Sequence, residues 1–139
     1  MRSPLGWRES QAYPCISVQE GGPYSLAAIA HAWASNVETR VVPICMPSAN
    51  ANFTAESLER LEGKRARIFV DNDGPGKLAA ARWAAQLQAA NIVVDGYSFD
   101  GLLQNDGRPV KDLNDLLRID ADQWETHRET IESVMDFAF

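Results

Sequence analysis

Three acidic residues stand where an α/β chain can put carboxylates to chemical use. Asp71 and Asp73 follow the apolar run Ile68–Val70 and lead at once into Gly74-Pro75-Gly76. Glu20 ends an earlier β-leaning run, from Cys15 to Val18 and on through Gln19, ahead of Gly21-Gly22-Pro23. Residues two apart in extended chain project to the same side, so Asp71 and Asp73 aim together. Gly74 and Gly76 permit the sharp turn that would hold both toward one point. Converging carboxylates repel one another unless a cation lies between them. Hard oxygen donors suit Mg²⁺, with Mn²⁺ as a substitute, and such ions keep waters and take phosphate oxygens as further ligands. That is the chemistry of nucleotides and nucleic acid. Each aspartate alone has a plainer use: Asp73 can cap the following helix, and Asp71 can end a strand in solvent. Glu20 has no capping job at a Gly-Gly-Pro turn, so the combination singles the set out.

The elements that must position these acids follow from periodicity. Strands are predicted at Cys15–Val18, within "TRVVPICMPS", within "RARIFVDND" and within "NIVVDGYSF", with Pro43 marking a bulge or a sheet edge. "YSLAAIAHAWAS" reads as a helix with Leu26, Ile29, Ala30 and Trp33 on one face. "TAESLERLEGK" is a second helix, capped by Thr54 and stopped by Gly63, and Pro75–Ala90 a third. "KDLNDLL" begins a short helix or turn. In the tail, Asp120 and Gln123 have capping-box spacing ahead of a helix carrying Trp124, Ile131, Val134 or Met135, and Phe137. Alternating strands and helices predict a three-layer α/β domain with a mostly parallel four-stranded sheet, whose ligand crevice lies outside the carboxyl ends of the strands. The expected division is an N-terminal arm at 1–13, the domain at 14–118, and an amphipathic helix at 119–139 that packs on the domain, a partner or a second copy. A short repeat fits this plan: Gly22-Pro23-x-x-Leu26-Ala27-Ala28 matches Gly74-Pro75-x-x-Leu78-Ala79-Ala80. The paired alanines let each helix approach the sheet closely.

Bulk properties bound the alternatives. A chain of 139 residues suits one domain, and 45% apolar content supports a core. The net charge of −6 argues against tight non-specific binding to nucleic acid, unless divalent cations neutralise an acidic site. No apolar run approaches the roughly 20 residues of a membrane span, and "MRSPLGWRESQ" lacks the apolar stretch of a signal peptide. Cytoplasm is the default compartment. Cys15 and Cys45 sit in apolar stretches without zinc-site spacing and read as reduced core thiols.

The ordered set Glu20-Gly21, Asp71-Asn72-Asp73 and Gly76-Lys77-Leu78-Ala79-Ala80 resembles the Toprim domain, which is shared by bacterial-type DNA primases, type IA and II topoisomerases and certain nucleases. The stretch Lys111–Leu117 is similar to the Lys-Asp-rich segment of the primase-like branch, and the resemblance covers residues 14–118. It implies a Toprim (Rossmann-like) fold and Mg²⁺-dependent nucleotidyl transfer or phosphodiester cleavage on nucleic acid, either DNA template or RNA primer. Glu20 would be the essential acid, serving as metal ligand or as general acid/base. Asp71 and Asp73 would be metal ligands, with Asp112 a further one. Lys111 would lie near nucleotide phosphates, and Gly21, Gly76 and Lys77 belong to the same binding motifs. Partners would be nucleotides and other domains of a primase or helicase in a replication or mobile-element protein. Tyr24 and Asn114 stand where that branch often carries acids, and neither a zinc ribbon nor a phosphate-binding G-x-x-x-x-G-K-[ST] motif is present.

Two other readings stay open. Asp71-Asn72-Asp73-Gly74 matches the nucleophile motif of haloacid-dehalogenase-type phosphatases, in which Asp71 would attack phosphorus, but Glu20 then has no role. A non-catalytic module that binds metal, nucleotide or protein uses the same residues without turnover. His31, Trp33 and Trp83 read as packing or half-buried surface, and Glu56, Glu59 and Glu62 as a solvated helix face.

Overall fold

The computed structural model describes residues 13–70, 73–97, 99, 101–129 and 133–136. Four strands, β1 (Cys15–Glu20), β2 (Val41–Met46), β3 (Arg65–Phe69) and β4 (Val93–Tyr97), form one sheet in the order β2-β1-β3-β4, every pair parallel. Parallel neighbours need crossovers, and the helices supply them: α1 (Gly22–Ala34), α2 (Ala55–Leu61) and α3 (Gly74–Ala89). Two short helices follow, α4 (Leu113–Leu116) and α5 (Ala121–Thr126), then a 3₁₀ turn at Ser133–Met135. β2 is an edge strand, the position that Pro43 foretells.

The core lies in two sheets of side chains, one on each face. Ile16, Val18, Ile44, Met46, Ala66 and Ile68 point one way, toward Leu61 of α2 and Ala79, Trp83 and Leu87 of α3. Cys15, Val41, Phe69 and Tyr97 point the other way, toward Ala27 and Ala28 of α1, Leu113 and Leu116 of α4, and Val134 of the 3₁₀ turn. This is the three-layer α/β/α arrangement.

Both copies of the short repeat behave alike. Ala27 and Ala28 are buried, as are Ala79 and Ala80, whereas Leu26 and Leu78 are 69% and 73% exposed. A methyl side chain lets the helix backbone sit close to the sheet, so the small residues take the inner face and the large ones are turned out. The expected apolar face of α1 is thereby corrected: Leu26, Ile29 and Trp33 all face solvent, and Ala27, Ala28, His31 and Ala32 face inward. Thr54 caps α2 by accepting from the Ser57 amide (3.2 Å), and Gly63 takes φ +80° in the stop that follows, both as expected. Cys15 and Cys45 are free and buried, and burial pushes the Cys15 thiol up despite the pull of Arg40, Arg65 and Lys64.

The tail departs from expectation. Instead of one long amphipathic helix, α5 ends at Thr126. Asp120 makes no side-chain cap bond, so the capping box does not form; the first turn closes through the backbone, Gln123 N to Asp120 O at 3.0 Å. Val134 is buried in the core and Trp124 is 41% exposed. Ile131 and Phe137 lie outside the described residues, as does Trp7.

His31 joins α1 to α4. Its Nε2 lies 3.3 Å from the Leu113 carbonyl, which can only accept, so the bond requires the tautomer with hydrogen on Nε2. Burial pushes the imidazole below its ordinary 6.5, and the Leu113 bond offsets only part of that. The unfolded chain therefore binds the proton more readily than the folded one. Stability is fully present above the unfolded value near 6.5 and drains as pH falls from there through the lower folded value. Denaturant midpoints measured from pH 7.5 to 5 should fall across that window, and His31→Gln should flatten this part of the profile.

Candidate functional site

The strand order creates one crevice. From β1 the chain passes through α1 to β2 on one side; it then returns over β1 to β3 and continues outward to β4. The reversal lies between β1 and β3, and in open α/β sheets ligands bind at such a point, outside the carboxyl ends. Glu20 is the last residue of β1. The β1–β3 register pairs Val18 with Ile68, and carried onward it sets Glu20 level with Val70. Asp71 is next in sequence; it and Asn72 lie outside the described residues.

Local geometry explains several of the expected residues. Gly21 has φ +83° and ψ 152°, a conformation essentially reserved for glycine, and its amide donates to the Met46 carbonyl at 3.0 Å. The chain can thus leave β1 tied to the end of β2 and enter α1 directly. Asp73 is the N-cap of α3, its Oδ1 accepting from the Gly76 amide at 2.6 Å. Its carbonyl accepts from the Lys77 amide at 3.0 Å. Gly76 is buried and Lys77 exposed at the opening of that helix. The plainer use of Asp73 is therefore real, and it occupies one carboxylate oxygen while Oδ2 makes no hydrogen bond among the described residues.

Asp112 and Lys111 lie elsewhere. Asp112 is buried and caps α4, with Oδ1 accepting from the Asp115 amide at 2.8 Å. The His31–Leu113 contact sets α4 beside the later turns of α1, and His31 is about 13 Å of helix rise beyond Gly22. Lys111 is exposed, donates its amide to Asp115 Oδ2 at 3.2 Å, and shares a hollow of about 410 Å³ with Arg108, Arg118 and Asp115. Arg108 is held by Asp106, which keeps the guanidinium above and the carboxyl below their ordinary values.

The oxygen donors of Glu20 and Asp73 fit a hard divalent cation in kind. Among the described residues, no three His, Cys, Asp or Glu side chains are gathered so as to hold a metal ion. The described part of the set is therefore Glu20 at the end of β1 and Asp73 at the N-cap of α3, with Asp112 at the N-cap of α4. The chain matches no protein-family model, no curated protein and no solved structure. Among the described residues no helix is long and apolar enough to cross a membrane.

Sequence reasoning missed two charged features. Arg67 and Asp95 are cross-strand partners, the arginine buried under the C-terminal turn and the aspartate half-buried. Glu38, after α1, lines a second hollow. The first had a signal, since opposite charges sit inside two runs otherwise read as apolar strands.

Proposed function

We propose that this chain is a Toprim-type domain of the primase-like branch that carries out Mg²⁺-dependent phosphodiester chemistry on nucleic acid. The observation that carries the reading is the strand order. Reversal between β1 and β3 makes neighbours of the strand that ends in Glu20 and the strand that leads into Asp71 and Asp73. Glu20, Asp71 and Oδ2 of Asp73 would hold the metal, which when bound would stabilise charge on phosphate oxygens. Glu20 would also take or give a proton at its carboxylate. Gly21 and Gly76 would leave room beside the acids, and Lys77 would attract phosphate from solution, whereas Lys111 lies beside Asp115 and would take no part.

One observation favours a non-catalytic module instead: Asp73 and Asp112 each already spend a carboxylate oxygen on a backbone amide. Calorimetric titration of Mn²⁺ into the wild type, Glu20→Gln, Asp71→Asn and Asp73→Ser separates the readings. Serine caps as well as aspartate, so Asp73→Ser should leave stability within about 0.5 kcal/mol. All three substitutions should weaken binding at least tenfold, and Mg²⁺-dependent extension or nicking of a primed single strand should disappear with Glu20→Gln. Sensitivity to Asp71→Asn but not to Glu20→Gln would support the phosphatase-type chemistry. A wild type that binds no Mn²⁺ would rule out the metal-dependent reading.

A further inference from the structure

A second hollow, of about 410 Å³, lies between α1 and the edge strand β2, lined by Tyr13, Ile29, Trp33, Glu38, Val42 and Pro43 among others. It is mostly apolar, with one carboxylate in its wall. Glu38 Oε2 is buried without a hydrogen-bond partner, and Glu38 forms no ion pair among the described residues. A carboxylate oxygen shut against apolar walls without a partner among the described residues is costly, and a cation arriving there recovers that cost. Tryptophan and tyrosine rings attract cations through their faces. The missing element is a positive group with a flat or apolar body.

We propose that this hollow receives an arginine side chain presented by a protein partner. Guanidinium stacks on aromatic faces and pairs with carboxylate in one planar group, which an ammonium does less well. A protein segment is favoured over a free small cation because the apolar surface continues past the hollow: Leu26, Ile29 and Trp33, 69%, 40% and 63% exposed, occupy one face of α1. Residues flanking the arginine would cover that strip. Docking by side chain also suits the edge, since Pro43 removes a backbone donor that an added strand would need. The net charge of −6 favours a basic partner. This site is separate from the strand-end acids and does not depend on what they do.

The test uses the full chain and amide NMR. N-acetyl-arginine methyl ester should shift the Trp33 indole N–H and the Glu38 amide saturably, and Glu38→Gln should weaken that binding at least tenfold. Trp33→Ala, at an exposed position that leaves the core intact, should weaken it several-fold. The citrulline ester has the same shape without charge and should bind at least tenfold more weakly; equal binding by the two esters, or indifference to Glu38→Gln, overturns the site. Acetyl-Leu-Arg-Leu-amide should bind several-fold more tightly than the arginine ester. Equal affinity would leave a small-cation pocket and overturn the protein partner. Shifts at Trp33 and Glu38 that follow protein concentration without any probe would assign the face to a second copy and overturn it too.

Discussion

Arg67→Met should destabilise the fold by about 3 kcal/mol, the lower end of what removing one member of a buried ion pair costs. The guanidinium is almost wholly buried between β3 and the C-terminal turn. Its Nε and one terminal nitrogen donate to the two Asp95 oxygens at 2.9 Å each, and its other terminal nitrogen donates to the Ser133 and Val134 carbonyls at 2.5 and 3.0 Å. Methionine fills much of the volume but answers none of these acceptors. Asp95 would be left charged without its partner, and because its side chain is 32% exposed, water would relieve part of that penalty. A domain of this size has roughly 5–15 kcal/mol in all, so the loss is a large share. Urea denaturation should show it, together with earlier proteolytic cleavage of the C-terminal turn, which Arg67 holds in place. Arg67→Met with Asp95→Leu should recover most of the loss, because no buried charge then remains. A single variant less than about 1 kcal/mol below wild type would show that the turn docks without the pair.

Trp83→Ala should cost about 3–5 kcal/mol. Trp83 lies on the inner face of α3, 2% exposed, in the core with Ile68 and Leu87. It also fastens the chain that leaves the carboxyl end of β2: its indole N–H donates to the Ala51 carbonyl at 2.9 Å. The neighbouring turns of α3 do the same work. Arg82 donates to the carbonyls of Ala49 and Ala51 and to Asn52 Oδ1, and Gln86 Oε1 accepts from the Phe53 amide at 3.0 Å. Alanine would leave a cavity and remove one of the two donors to the Ala51 carbonyl, Arg82 being left as the other. Trp83→Phe keeps most of the volume and should cost about 1–2 kcal/mol less than alanine, the remaining deficit reporting the hydrogen bond. Thermal or urea unfolding of the two variants separates packing from bonding. If alanine and phenylalanine proved equally costly, the hydrogen bond rather than the volume would be what matters.

The elements themselves were legible because local rules decide them. Short apolar, β-leaning runs became β1 to β4, and Gly-Pro openings with alanine-rich continuations became α1 and α3. Thr54 and Asp73 cap where their spacing from Ser57 and Gly76 says they should. The tail was not legible in this way: α5 stops at Thr126. Val134 finds a place in the core through a 3₁₀ turn, which a continuous helix would not have needed.

By itself, then, the chain of residues determined the alternation of strands and helices, the parallel sheet that alternation entails, and the placing of Glu20 at the end of β1 and of Asp73 at the N-cap of α3. Those are consequences of backbone preference and spacing, which act within a few residues. Only tertiary structure decided that β1 and β3 are neighbours, that Arg67 faces Asp95, and that α1 buries its alanines while Leu26, Ile29 and Trp33 remain outside. Hydropathy ranks leucine and tryptophan above alanine for burial. The sheet selects instead for the side chain that lets a helix come closest, and that preference exists only once the two surfaces meet.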